Sequence, residues 1–133
     1  MNRVFLDTSV VIRYLAEDDP PRAFAAATLI DSDATLVVST GVLLESLHVL
    51  RTTHGWANPD VGRALMELLS KGNVWLSDAD AAHVVAGIER TLRKSARRIP
   101  DAIVAAAAEH ARCDWIATFD ESFESPTLPS RLL

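Results

Sequence analysis

Four carboxylates stand where apolar residues dominate. Asp7 ends Val4-Phe5-Leu6 and is followed by Thr8 and Ser9. Glu45 lies inside Val42-Leu43-Leu44-Glu45-Ser46-Leu47-His48-Val49-Leu50, where apolar residues cover most of a helical circumference, the pattern of a largely buried helix. Asp101 sits between Ile99-Pro100 and Ala102-Ile103-Val104, ahead of four alanines, and Asp120 follows Trp115-Ile116-Ala117-Thr118-Phe119. An unpaired carboxylate buried in such surroundings costs several kcal/mol or takes up a proton. The Arg and Lys residues cluster elsewhere in the chain, and bringing the acids together raises their pKa values. A divalent cation relieves that repulsion. Magnesium and manganese favour carboxylate and water oxygens, and such an ion can activate a water and steady a leaving oxygen in phosphodiester cleavage. Each acid also has a plainer reading: Asp7 as a helix N-cap, Asp101 as an acid favoured by a helix dipole, Asp120 as the start of a turn. Glu45, mid-helix, is the hardest to explain this way. The four together favour a site over four separate structural roles.

The elements that would carry these acids alternate between strand and helix. Val4–Leu6 reads as a buried strand feeding a helix that begins near Val10, with Asp7 at the junction. Glu17-Asp18-Asp19-Pro20-Pro21 is a turn by composition, and Pro21 suits the first turn of a second helix through Ile30. Leu36–Ser39 is a second strand, followed by a third helix from Thr40 or Gly41 to Val49 or Leu50. Asn58-Pro59 reads as an N-cap and a first helical proline, opening a fourth helix that runs to about Lys71 with Gly72 after its end. Val74–Leu76 is a third strand. Asp78 is placed to cap a fifth helix from Ala79 to about Arg93, Ile99-Pro100-Asp101 opens a sixth, and Trp115–Phe119 is a fourth strand. The tail, with Pro126 and Pro129, adds a short edge strand or nothing. This order predicts one α/β domain over residues 1–133, a three-layer α/β/α sandwich around a mostly parallel sheet of four or five strands. In such sheets ligands bind at the carboxyl ends of the strands, where Asp7 and Asp120 fall.

The totals agree with a globular enzyme. Apolar residues make up 49% of the 133 and charged residues 23%, enough to bury a core. No run approaches the ~20 apolar residues of a membrane span, and no leader-like N-terminus is visible. The single Cys113 excludes an intrachain disulfide and fits a reducing cytoplasm. The four His, at 48, 54, 83 and 110, show no zinc spacing and read as surface or interface residues. Cys113, beside Asp114 and without a nearby His, is no convincing nucleophile. A net charge of −5 argues against a general nucleic-acid coat.

With these residues in view, the chain resembles the PIN-domain ribonucleases, and most closely the VapC-type toxins of toxin–antitoxin pairs. The resemblance rests on Phe5-Leu6-Asp7-Thr8-Ser9, Leu44-Glu45, Pro100-Asp101-Ala102-Ile103-Val104-Ala105-Ala106 and Ala117-Thr118-Phe119-Asp120-Glu121-Ser122-Phe123. Each motif is short; their order spans nearly the whole chain. The resemblance implies a parallel sheet flanked by helices and an acidic pocket for Mg²⁺ or Mn²⁺. Asp7 and Asp101 match the most direct metal ligands, and Glu45 and Asp120 match positions that complete the site directly or through water. Thr8, Ser9 and Thr118 match hydroxyls that orient the acids. Glu121 and Glu124 stand close enough in sequence to substitute for Asp120. The resemblance further implies endoribonuclease activity on transfer, ribosomal or messenger RNA, a homodimer, and a VapB-type antitoxin that blocks the pocket.

Arg90, Arg93, Lys94, Arg97 and Arg98 recur at helical spacing just before Asp101. They would form one face if the fifth helix extends that far, and such a stripe beside an acidic pocket suits RNA phosphates. The alternatives are an ordinary solvated face or a partner's acidic patch. Two rivals to the nuclease stand: a non-catalytic PIN-like module that binds RNA or protein, and an aspartyl-phosphate phosphatase. The phosphatase usually carries a second Asp two residues after the first, where this chain has Ser9.

Overall fold

Val4, Phe5 and Leu6 expose no surface, and the strand they form is the middle of the sheet. The structure, a computed structural model, describes residues 2–94 and 98–133, apart from the side chain of Lys94. In chain order the elements are β1 (Arg3–Leu6), α1 (Thr8–Ala16), α2 (Pro20–Ile30), β2 (Thr35–Val38), α3 (Thr40–Thr52), α4 (Asn58–Ser70), β3 (Val74–Leu76), α5 (Ala81–Lys94), α6 (Ile99–His110), β4 (Trp115–Thr118) and β5 (Ser130–Leu132). The sheet order is β3-β2-β1-β4-β5, and every pairing is parallel. A strand buried on both faces must be apolar along its length. That explains why β1, β2 and β4 read as unbroken apolar runs, whereas the edge strands β3 and β5 are largely exposed.

The connections fix the layers. From β1 to β2 to β3 the chain steps one way across the sheet; from β3 to β4 it steps back over both. Right-handed crossovers then put α1–α4 on one face and α5–α6 on the other. The contacts agree: α1 packs on α2 and α3, α3 on α4, and α5 on α6. This is the expected three-layer sandwich, with the tail supplying the fifth strand. Phe5, Leu6, Ile30, Leu36 and Ile116 are among the largest buried side chains, each contributing about 1.5–3 kcal/mol by burial. Opposite them α6 buries Ala102, Ala105, Ala106, Ala107 and Ala108. A Cβ on Gly87 of α5 would stand 3.1 Å from the Ala102 carbonyl oxygen, so these two helices meet almost backbone to backbone. None of the described helices is long and apolar enough to cross a membrane.

Several helix ends differ from expectation. Asn58 is the first residue of α4 rather than its cap; Ala57 holds the cap position, and no side chain caps it. Lys71 ends α4 in an extended conformation (φ −67°, ψ 136°), so no left-handed glycine is required at position 72. Asp78 caps a different helix from the one expected. Its carboxylate accepts both the Thr40 N–H and the Thr40 Oγ1–H at 2.8 Å, at the start of α3. The α5 start falls to Asp80, whose Oδ1 accepts the His83 N–H at 2.9 Å. Sequence neighbours gave Asp78 to the following helix, but the parallel pairing of β2 and β3 brings it to α3, the helix that follows β2.

This reassignment has a measurable consequence. Asp78→Ala removes both bonds to Thr40 and should cost about 1 kcal/mol in urea unfolding at unchanged m-value. Asn58→Ala should stay within about 0.5 kcal/mol of the parent.

Candidate functional site

The chain reverses its direction of travel across the sheet at β1, whose two neighbours are β2 and β4. A crevice opens at such a switch point beyond the carboxyl ends of the strands. Leu6 pairs with Ala117, and the Asp7 N–H continues the ladder to the Ala117 carbonyl at 3.0 Å. That register places Asp7, the first residue after β1, beside Thr118, the last of β4.

Asp7 occupies the N-cap position of α1, yet its side chain makes no capping bond. Instead its Oδ2 accepts hydrogen bonds from Thr118 Oγ1 at 2.8 Å and Ser9 Oγ at 3.1 Å. Each hydroxyl in turn accepts a backbone N–H, from Asp120 at 3.0 Å and from Phe119 at 2.9 Å. The hydroxyl protons are thereby directed at Asp7 and fix its rotamer. Burial pushes the Asp7 carboxyl above its ordinary pKa; the two hydroxyl bonds oppose the rise, and the Glu45 charge adds to it.

Glu45 departs from expectation. It is exposed, as is Leu44 at 61%, because α3 buries only the Val42, Ser46 and Leu50 side. The helix packs on α1 and α4 and leaves the Glu45 face open. Thr8 Oγ1 donates to Glu45 Oε2 at 3.0 Å, which ties this acid to the residue after Asp7. Asp101, half-buried in the first turn of α6, accepts the Glu124 N–H at 3.0 Å through Oδ2. Burial raises its pKa; the Glu124 bond and Arg98 oppose this, while the charges of Asp7 and Asp120 add to it. Asp120 is exposed, and its Oδ1 accepts the Ser122 N–H and Oγ–H at 2.9 and 2.7 Å, which hold its pKa down.

Asp7, Glu45, Asp101 and Asp120 all line one open cleft of about 450 Å³, and Glu121 and Glu124 do not. The cleft also collects three residues that sequence patterning did not single out: Arg13, Asp18 and His54. Asp18 bridges the other two, accepting from Arg13 Nη1 at 3.2 Å and meeting His54 Nε2 at 2.9 Å. The His54 bond in particular lowers the Asp18 pKa. No periodicity marks them, since Asp18 and His54 sit in turns on opposite sides of three elements, α2, β2 and α3. Cys113 is buried away from the cleft, its thiol pushed up to about 12 by burial, which disqualifies it as a nucleophile.

The described members of the expected basic stripe do not share one helix. The described part of α5 ends at Lys94, and Arg98 belongs to the start of α6. Arg90 Nη1 lies 3.5 Å from Glu109, and Arg93 is exposed. The Lys94 side chain and Arg97 lie outside the described residues. Arg98 does act on the site, since its charge lowers the pKa of both Asp101 and Asp120.

The donor set suits a hard cation: several carboxylates, two of them raised in pKa by burial first and by the charge of a neighbouring acid second, Glu45 on Asp7 and Asp7 with Asp120 on Asp101. No three of these acids bring an oxygen each within 4.8 Å of the others among the described residues. Magnesium holds its ligands at about 2.0–2.1 Å and usually keeps several waters beside one or two carboxylates. An ion in this cleft would need only one or two of these acids as direct ligands.

Comparison with known proteins gives this geometry a context. No curated protein matches the chain. Among solved structures it is similar to VapC20 of Mycobacterium tuberculosis, a toxin described as cleaving the sarcin–ricin loop. Identity there is 22% and the TM-score 0.72, over 90% of this chain and 92% of that one. It is also similar to VapBC2 of Rickettsia felis, a structure containing a DNA fragment from their promoter. Identity is 15% and the TM-score 0.70, over 98% of each chain. Both likenesses concern the fold. The PIN domain family matches residues 4–127, which takes in every strand but β5, all six helices and all four acids, and the chain belongs to that family.

Proposed function

We propose that residues 1–133 form a single PIN unit acting as a metal-dependent endoribonuclease, the toxin of a VapBC-type pair. The observation that carries this reading is the meeting of Asp7, Glu45, Asp101 and Asp120 in one cleft at the β1–β4 switch point. The family membership and the description of VapC20 as an RNA-cleaving toxin support it.

In this reading Asp7 and Asp101 hold Mg²⁺ or Mn²⁺, with Glu45 and Asp120 reaching it through water. Such an ion supplies charge to the scissile phosphate and lowers the pKa of a water. The protein's own contribution is placement. Ser9 and Thr118 both bond Oδ2 of Asp7, so Oδ1 would be the oxygen to hold the ion. Thr8 does the same for Glu45, and the Glu124 N–H for Asp101. Oxygens fixed beforehand need no reorganisation when charge develops on the phosphate. Arg13, at the cleft wall, offers a guanidinium to a neighbouring phosphate of the RNA. Arg98, whose charge acts on Asp101 and Asp120, extends that positive approach. The partner in this reading is a VapB-type antitoxin that covers the cleft, on a homodimer working in the cytoplasm. The description of VapBC2 as bound to promoter DNA supports a paired antitoxin.

Purified protein incubated with total RNA should cleave it with Mg²⁺ or Mn²⁺ and stop when a chelator is added. Asp7→Asn and Asp101→Asn should each lower the rate on the order of 10²–10³-fold, with RNA affinity, read by filter binding, nearly unchanged. Cleavage indifferent to chelator and to both substitutions would overturn the reading, and RNA binding without any cleavage would favour the non-catalytic module.

The raised pKa of Asp7 predicts a stability effect of opposite sign. A carboxyl whose folded pKa exceeds its unfolded value destabilises the fold once ionised. That cost is complete above the folded pKa, shrinks as pH falls through it, and is gone below the unfolded value of about 3.9. Asp7→Asn keeps an acceptor for the two hydroxyls and loses the charge. It should therefore melt above the parent at pH 7, the two converging near pH 3–4, and added Mg²⁺ should narrow the gap from the parent's side. An Asp7→Asn variant that melts below the parent at pH 7 would contradict the burial argument.

A further inference from the structure

Away from the cleft, Asp80, His83 and His110 each bring one ligand-type atom within 4.8 Å of the others. Asp80 directly precedes α5, His83 lies in its first turn, and His110 is the last residue of α6. Asp80 Oδ1 accepts the His83 N–H at 2.9 Å and meets His83 Nδ1 at 2.7 Å. Asp80 Oδ2 stands 3.9 Å from His110 Nε2, beyond hydrogen-bond reach. The two imidazole rings meet edge to face with centroids 5.0 Å apart.

His110 is what the protein alone leaves unexplained. Its Nδ1 is buried without a partner, and its Nε2 has no hydrogen bond among the described residues. The buried Nδ1 has given up its hydration without a protein partner in return, while the Nε2 edge of the ring, on a side chain 35% exposed, stays open to a further ligand.

We propose that Asp80, His83 and His110 bind a transition-metal dication, Zn²⁺ above all, which ties the start of α5 to the end of α6. Two imidazoles and one carboxylate are zinc donors and poor magnesium donors. A tetrahedral zinc with bonds of about 2.0–2.1 Å spaces its donors about 3.3 Å apart. The observed 2.7 Å from His83 Nδ1 to Asp80 Oδ1 and 3.9 Å from His110 Nε2 to Asp80 Oδ2 fall on either side of that spacing, so the carboxylate stands between the two imidazoles. Three protein ligands leave a fourth position for water. The α6 C-terminus favours a cation at His110, and the Asp80 carboxylate offsets the unfavourable α5 N-terminus. The close approach of α5 and α6 at Gly87 holds the donors in register. None of the three residues lines the acidic cleft, so this site is independent of the reading of that cleft. It does share a helix with it: α6 carries Asp101 in its first turn and His110 at its end.

The test uses the full chain carrying Asp7→Asn and Asp101→Asn, so that the cleft acids contribute little. Titration calorimetry with ZnCl₂ at pH 7.5 should show one ion per chain with micromolar or tighter affinity and a rise in Tm, and MgCl₂ should show neither. His83→Gln and His110→Gln should each weaken zinc at least about tenfold and remove the rise in Tm. Asp80→Asn, which keeps the oxygen that accepts the His83 N–H, should do the same in a variant whose circular dichroism matches the parent. No zinc uptake, or uptake unchanged by these substitutions, would overturn the proposal.

Discussion

The register between β1 and β4 is the constraint on which the cleft depends. Leu6 opposite Ala117 sends the Asp7 N–H to the Ala117 carbonyl and brings Thr118 Oγ1 within 2.8 Å of the Asp7 carboxylate. Side chains alternate between the faces of a strand, so a slip of one residue would turn Thr118 away from Asp7. The buried pairing of Val4, Phe5 and Leu6 with Trp115, Ile116 and Ala117 thus sets where the carboxylate stands. Ser9 completes the arrangement from the α1 side, linking Asp7 to the Phe119 N–H. The same few bonds terminate two strands, start a helix and aim an acid.

That arrangement sets stability against chemistry. Removing the hydroxyls would leave Asp7 still more reluctant to ionise, since burial is already the largest influence on it. Asp101 faces the same pressure, relieved by the Glu124 N–H and by Arg98. Asp120, at the exposed rim, is held low by Ser122. Asp7 and Asp101 are thus half-buried and raised, and Asp120 exposed and lowered. A cation would draw most from the former, whose charge is least screened by water.

Much of this was legible in the chain because the signals were local. The apolar runs at Val4–Leu6 and Trp115–Thr118 mark strands buried on both faces, and the acids that follow them sit where such strands end. Asp101 was legible for the same reason, from Pro100 and the alanines behind it. Glu45 lines the cleft, though not for the reason its neighbours suggest. Its apolar neighbours suggested a buried helix, but Leu44 faces solvent, and only the packing of α3 on α1 and α4 decides which stripe is covered. Asp78 was given to the helix nearest in sequence, although the β2–β3 pairing delivers it to Thr40. Arg13, Asp18 and His54 carried no pattern at all, because their proximity arises from two turns meeting over the cleft.

The helix α6 shows why such tertiary groupings escape a linear reading and yet are strongly determined. Its alanines read as a helix former's composition, but their use here is spatial. Small side chains on α6 and Gly87 on α5 let two backbones approach until the Ala102 carbonyl lies 3.1 Å from where a Cβ would stand. A larger residue at Gly87 would push the helices apart, moving Asp101 at one end of α6 and His110 at the other. Histidines 27 residues apart in sequence then become ring neighbours 5.0 Å apart, with no spacing rule to announce them. The close contact that gives the sheet its second covering layer is thus also what fixes both ends of α6, one at an acidic cleft and one at a cluster of nitrogen donors.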